Sequence, residues 1–267
     1  MRHAEHSFCC SSSWNPLPNC IGEQTLEPVE GELRFITIAR YECEYAFLIE
    51  EIPSLRRAFP GTDLPQMFDE AVHAYRRERK ANLTLYEGVA ATLEELRRRG
   101  MLIVVYTESL AFYTNYRIRR LGLDGLVDFA YSPPDHELPP TTSGSLGAEE
   151  TRLVRAQHRF LPEGVKKPNP EVLLDIVNEI GRRPEEAIYL GDSLMKDVVM
   201  AQAAGVVDVL AEYGAAQHLP EYKLLQLVSH WTEEDVQRER ETSKATVKPN
   251  NVITEFPQIL DFFPVST

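Results

Sequence analysis

The sequence predicts a doubly wound α/β core, a parallel sheet with helices on both faces, carrying a small helical cap. Three observations carry that reading. Apolar strand-like runs alternate with helical segments across residues 89–210, the order that builds parallel sheets through helical crossovers. The run MLIVVY at residues 101–106 is continuously apolar, as a strand buried on both faces requires. The stretch AIYLGDSLMKDVVMAQAAG at residues 187–205 passes from a second such strand, through Gly191, into a helix that Gly205 closes as a C-cap.

Composition sets the bounds. A chain of 267 residues suits one large domain, or one core with a small inserted domain. At 43% hydrophobic residues it can bury an ample core, and no run approaches a membrane span. The net charge of −13 argues against a nucleic-acid partner, because a phosphate backbone needs a basic footprint. The four cysteines, Cys9, Cys10, Cys20 and Cys43, fall in the first sixth of the chain. No disulfide framework or zinc spacing follows from them, and a reducing, cytoplasmic location fits. Subunit association is not legible.

In chain order, residues 1–32 read as a loose leader punctuated by Ser, Pro and Asn, without the apolar core of a signal peptide. Residues 33–44 begin with LRFITIA, a β-branched strand that the reading places at the centre of the sheet. Residues 45–82 turn helical and form the predicted cap. Pro53 interrupts a first helix, and a second runs over about residues 66–81 with Met67, Phe68, Ala71, Val72 and Tyr75 on an apolar stripe. Arg76, Arg77, Arg79 and Lys80 gather at its end, either as a solvated helix terminus or as a basic lid steering an anion.

Residues 83–267 form the predicted α/β core. ATLEELRRRG is a helix ended by Gly100, and MLIVVY is a strand with Thr107, Glu108 and Ser109 at its carboxyl end. A helix over residues 110–121 and a short apolar piece over 126–131 follow. Residues 132–165 read as a long Pro/Ser/Thr/Gly-rich loop, suggesting an active-site flap or an insertion. Lys166-Lys167-Pro168-Asn169-Pro170 opens the helix EVLLDIVNEIG, and after the glycine-turn stretch residues 206–210 give another strand. Residues 221–240 read as mostly helical. Val252-Ile253 and FPQILDFF give a last strand and a closing helix.

Ligands of open α/β sheets bind beyond the carboxyl ends of the strands. Asp192 and Asp197 lie on one strand-to-helix turn there, which suits a hard cation such as Mg²⁺. The plainer reading makes Asp192 a helix cap and Asp197 a first-turn acid. The string Gly191-Asp192-Ser193-Leu194 also resembles the GDSL esterases, in which the serine is a nucleophile. That reading needs a histidine shortly after a C-terminal aspartate, and Asp235 is followed by Val236, Gln237 and Arg238.

Three signals stand in order: Thr107 after an apolar strand, Lys167 before a proline, and Gly191-Asp192-Ser193 followed by Asp197. In the strings LIVVYTES, KKPNPEVL and YLGDSLMKDVVMAQAAG, and in the approach YEGVAATLEELRRRG, the chain resembles the haloacid dehalogenase (HAD) superfamily of hydrolases, near its phosphoglycolate-phosphatase-like members. The resemblance covers roughly residues 84–210, with 252–263 as a further part. It implies Mg²⁺-dependent hydrolysis of a small phosphate monoester, with Thr107, Glu108, Ser109 and Lys167 around the phosphoryl group. Thr107 would hydrogen-bond it and Lys167 would neutralise its charge. Asp192 would hold Mg²⁺, and Asp197 would be a second ligand or orient Lys167. Lys166 competes for the lysine role, but the family pattern places that lysine directly before proline.

One motif departs. The superfamily's first strand ends in Asp-x-Asp, whose first aspartate attacks phosphorus and whose second serves as acid and base. The first aspartate here is Asp63, and FITIARYECEY stands at the expected place. Three accounts are open. Glu42 and Glu44 could stand in, each one methylene longer. The chain could be a silent member that keeps a phosphate or metal pocket. The first forty-odd residues could be foreign to the ancestral protein. Weak or absent turnover is the expectation.

Overall fold

The computed structural model describes residues 52–135, 152–162, 164–216, 232–244 and 247–264, with the single positions 49, 219 and 222. The leader, the four cysteines, LRFITIA, Glu42 and Glu44 lie outside the described residues. The chain divides into two units, residues 1–84 with 216–238, and residues 85–215 with 239–267.

Among its described residues the first unit holds α1 (Pro53–Ala58), α2 (Leu64–Met67) and α3 (Asp69–Asn82). Pro53 sits at the start of α1, where its missing N–H costs nothing. Asp63 caps α2 by accepting the Gln66 N–H at 3.0 Å. The single helix expected over residues 66–81 is broken at Phe68, whose φ of −103° and ψ of 17° separate α2 from α3. Nor is its apolar stripe buried: α3 buries none of its residues, and Met67 is 49% exposed. A helical apolar stripe marks a face able to pack, and this one is only half covered: Phe68, Ala71, Val72 and Tyr75 are half-buried, with Phe59 edge-on to Phe68 at 6.2 Å.

The second unit carries the sheet. It begins with α4 (Val89–Arg98) and β1 (Val104–Tyr106). Then come α5 (Ala111–Arg120), β2 (Phe129–Ser132), β3 (Gln157–Phe160) and α6 (Pro170–Glu179). The rest is β4 (Ile188–Gly191), α7 (Val199–Ala204), β5 (Val207–Ala211), then α8 (Glu233–Lys244), which crosses the unit boundary, and β6 (Asn251–Ile253). All ladders are parallel, in the orders β1-β2-β3 and β4-β5-β6. The closing segment expected as a helix is a 3₁₀ helix, Phe256–Phe262.

Side chains alternate between the two faces, as a pleated strand dictates. Val105, Ile188 and Leu190 join a core with Leu93, Leu96, Ile118, Val209 and Ile259. Tyr106 and Tyr189 pack on the other face with Leu173 and Val177 of α6 and with Met200 and Ala201 of α7. The sheet is therefore covered on both faces, which makes the core doubly wound. The strands are nonetheless half-buried rather than fully buried in β1 and β4, against expectation. The six-residue run expected for β1 pairs over only three residues. Its first part is spent elsewhere: the Met101 N–H caps α4 at Leu96 O, and the Ile103 N–H goes to Asp128 Oδ2 at 2.9 Å.

The stretch expected as a loop over 132–165 contains β3. Its sequence, Gln-His-Arg-Phe, has no apolar run, so it gives no buried-strand signal. Asp124 fixes its start by accepting the N–H groups of Val154, Arg155 and Ala156 at 2.8–3.0 Å. Burial pushes the Asp124 carboxyl up, but those three donors outweigh it and hold it below its usual range. His158 on β3 bonds Ser132 Oγ through Nε2 at 2.8 Å and Asn115 Oδ1 through Nδ1 at 2.6 Å, tying β2, β3 and α5 together. No helix of the described residues is long and apolar enough to cross a membrane.

Candidate active site

Three segments meet at the carboxyl ends of β1 and β4, beginning with the turn after β4. Leu194–Val198 forms a π-helical turn, in which Asp197 N–H and Val198 N–H both donate to Ser193 O at 2.9 and 3.1 Å. Ser193 is the N-cap, its hydroxyl accepting the Lys196 N–H at 3.2 Å. Ser193 rather than Asp192 is thus the cap, and its buried hydroxyl is not presented as a nucleophile. The wide turn folds Asp197 back over Gly191. A β-carbon at position 191 would stand 2.3 Å from Asp197 Cγ, so only glycine admits this approach.

Asp197 is 6% exposed and its carboxylate is fully engaged. Oδ2 accepts the Ser193 N–H at 3.1 Å, while Oδ1 accepts from Lys167 Nζ at 3.1 Å and from the Tyr189 hydroxyl at 3.3 Å. Lys167 comes from the segment before α6, where Asn169 caps the helix by accepting the Val172 N–H at 3.1 Å. Its ammonium lies 4.9 Å from the Tyr106 ring centre and 5.4 Å from that of Tyr189, a cation–π setting on two sides. Burial works to lower the Lys167 pKa, but Asp197, Tyr189 and Glu108 outweigh it and hold the group well above its ordinary value. The phenols move the same way. Burial, opposed by Lys167, pushes Tyr106 up to about 12 and raises Tyr189 further. Lys167 is therefore held in place and favoured in its charged form. Lys166 is exposed.

Thr107 continues the β1–β2 ladder, its N–H donating to Tyr131 O at 3.0 Å. Its hydroxyl accepts the Ser109 N–H at 3.1 Å, which leaves the hydroxyl proton for a further acceptor. Ser109 Oγ accepts from the Arg117 guanidinium. Glu108 turns inward: Oε1 accepts the Lys167 N–H at 2.8 Å, and Oε2 accepts from the Lys196 ammonium. The motif residues after β1, before α6 and after β4 are thereby joined by direct contacts.

Two family models match this chain. The model of the haloacid dehalogenase-like hydrolase family matches residues 29–205, and a second HAD-hydrolase-like model matches residues 165–257. The chain belongs to the haloacid dehalogenase-like hydrolases. It is 31% identical over 155 residues to glyceraldehyde 3-phosphate phosphatase of Methanopyrus kandleri, covering 58% of this chain and 55% of that one. To phosphoglycolate phosphatase of Pasteurella multocida it is 26% identical over 160 residues, covering 57% and 59%. The chain thus spans little more than half the length of these relatives. The HAD-hydrolase YfnB of Bacillus subtilis, solved with magnesium, aligns over 92% of this chain and 83% of that one, at a TM-score of 0.46 and 14% identity.

For a haloacid dehalogenase-like site the donor set for a cation is narrow here. Among the described residues no group of three His, Cys, Asp or Glu side chains is placed to hold a metal ion. Asp197 spends both oxygens on N–H, ammonium and phenol donors, so its geometry is that of a partner for Lys167. Asp192 remains. It is half-buried, and Gly214, in the turn after β5, approaches it so closely that a β-carbon there would lie 2.9 Å from Asp192 Cβ. One such carboxylate fits Mg²⁺, which keeps several waters and takes one or two carboxylates plus phosphate oxygens.

Sequence reasoning overlooked Tyr106, Tyr189 and Lys196. The two tyrosines sit inside apolar strand runs and read as core. Their signal was position, since each stands within a few residues of a motif turn. A surface hollow of about 790 Å³ lies at the other end of the sheet, by Gln202, Val207 and Asn251. Of its two acids, Glu185 and Asp208, the buried Asp208 is committed to the Asn250 N–H at 2.8 Å and to Gln202 at 3.2 Å.

Proposed function

We propose that this chain binds a small phosphate monoester at the carboxyl ends of β1 and β4, and that it hydrolyses the ester weakly or not at all. The observation that carries the reading is the Lys167 ammonium, held in place by Asp197 and two tyrosine rings and joined through its own backbone to the Thr107–Glu108 turn. A fixed cation together with a hydroxyl donor is what phosphoryl recognition needs, because charge develops on the equatorial oxygens. The names of the relatives, phosphatases of glyceraldehyde 3-phosphate and phosphoglycolate, support a small phosphorylated metabolite.

Among the described residues β1 and β4 are each paired on one edge only, and the family match begins at residue 29. Thr107 donates its hydroxyl proton to a phosphoryl oxygen, and Lys167 neutralises the charge there. Asp192 would hold Mg²⁺, which would screen phosphoryl charge. Asp197 keeps Lys167 aimed. The nucleophile is the missing part, since no aspartate precedes Asp63. Loss of a nucleophile from a cooperating set removes roughly 10⁴- to 10⁶-fold of rate. We read the protein as cytoplasmic and without a nucleic-acid partner.

The test is an assay of the whole chain with Mg²⁺ and para-nitrophenyl phosphate, repeated after an Asp-x-Asp is restored following LRFITIA. The expected result is turnover only after restoration. Strong activity in the unmodified chain that is lost in Glu42→Gln or Glu44→Gln would overturn the reading in favour of recruited glutamates.

A further inference from the structure

Beside the Lys167–Asp197 pair lies a second covered pair, Lys196 with Glu108, whose side chains are 12% and 11% exposed. Lys196 and Asp197 are consecutive in the π-helical turn, so the contacts close a ring. Lys196 reaches Glu108, Glu108 holds the Lys167 backbone, the Lys167 ammonium meets Asp197, and Asp197 returns to Lys196 along the chain. The ring contains two ammoniums and two carboxylates, a formal charge of zero. Lys196 is a second cation at the carboxyl ends of the strands, and its charge is cancelled from the β1 side by Glu108.

We propose that Glu108 sets the anion affinity of this pocket by masking Lys196. The inference rests on the phosphate-binding reading above, and assigns Glu108 a role opposite to that of a substrate-binding group. With Glu108 ionised, an arriving phosphate meets a neutral ring beside the Asp192 carboxylate, so binding is restrained unless a cation joins it. With Glu108 neutral, the same ring carries one net positive charge at a covered site, where charges act over a few ångströms with little screening. Glu108 is thus a specificity-determining charge that disfavours free phosphate. A pair that only braced the fold would behave differently, because removing either partner would then loosen the site in the same direction.

The experiment is calorimetric titration of the full-length chain with inorganic phosphate at low ionic strength, without divalent cations. Glu108→Gln keeps the side-chain length and an oxygen for the Lys167 N–H, and should tighten phosphate binding roughly tenfold. Lys196→Met keeps the apolar stem and should weaken it roughly tenfold. The double variant restores the ring's net charge and should return to within about threefold of the unmodified chain. Opposite signs for the two single variants support masking. Shifts of the same sign, or none, overturn it. If Glu108→Gln does not fold, Lys196→Met and the double variant decide, since masking requires the double variant to recover what the single one loses. Lys167→Met separates the two levels. Binding that Lys167→Met leaves untouched, or no binding by any variant, removes the phosphate-binding reading and this inference with it. Binding that Lys167→Met abolishes, with Glu108→Gln and Lys196→Met shifting alike, removes this inference alone.

Discussion

Lys167 and Asp197, thirty residues apart in sequence, meet at 3.1 Å with 11% and 8% of their side chains exposed. Two charges this well covered are costly to separate, because a single deletion leaves the survivor without a counter-charge.

Asp197→Ala should therefore lower unfolding free energy by about 3–5 kcal/mol in urea titration. A double variant, Lys167→Met with Asp197→Leu, should recover part of that loss. The remainder belongs to the Ser193 N–H and the Tyr189 hydroxyl, which lose their acceptor. A loss in Asp197→Ala below about 1 kcal/mol would mean the pair behaves as a surface ion pair.

Gly191→Ala tests the close approach directly. The added methyl would stand 2.3–2.4 Å from three atoms of Asp197, and the carboxylate is held on both oxygens, so it cannot yield cheaply. We expect a loss of about 3 kcal/mol, readable as a lower Tm in calorimetry, together with weaker phosphate binding. An unchanged Tm would show that the π-helical turn adjusts without strain.

The alkaline limb of stability should report Lys167. Its folded pKa is raised above the ordinary lysine value of 10.5, so the folded state binds the proton more tightly than the unfolded chain. The contribution is whole below the ordinary value and is lost as pH climbs through the folded one. Urea midpoints should hold through neutral pH and fall above about pH 10. In Lys167→Met that part of the fall should be absent.

His158 should shape the acid limb. Burial lowers its pKa, against the pull of Asp135, so below the ordinary value of 6.5 the unfolded chain binds more protons than the folded one. Stability should decline as pH falls from 6.5 through the depressed folded value. Imidazole NMR should show His158 titrating below an ordinary histidine, and His158→Gln should flatten this part of the profile. A folded-state titration at or above 6.5 would contradict it.

Asp192 should carry the Mg²⁺ response. Calorimetry should give weak binding in the unmodified chain and none in Asp192→Ala, with Mg²⁺ strengthening phosphate binding only in the former. The same Mg²⁺ effect in both proteins would move the cation elsewhere.

Much of the core was legible because its elements announce themselves by period and punctuation. The apolar positions of α4 and α6 and the glycine after α7 located three helices to within a few residues. What escaped was held by polar contacts between residues distant in sequence. Asp124 fixes β3 and Asp208 fixes the approach to β6, each by accepting N–H groups that no local pattern reveals. The site divides the same way. Thr107 and Asp192 were visible as motif residues at strand ends and Lys167 at a helix start, whereas Tyr106 and Tyr189 were hidden inside apolar runs. The bond of Glu108 to Lys196 joins residues 88 positions apart, and no local spacing foretells it.

The neutral ring of Lys167, Asp197, Glu108 and Lys196 has a bearing on descent. These side chains join three segments, so their loss is felt in folding as well as in binding. A lineage that ceased to turn over phosphate esters would still be held to them by selection for a folded chain. The nucleophile, which braces nothing once its chemistry is idle, would be free to drift. In such a lineage the ring would outlast the nucleophile, so the presence of Lys167 and Asp197 in a chain is by itself no sign of turnover.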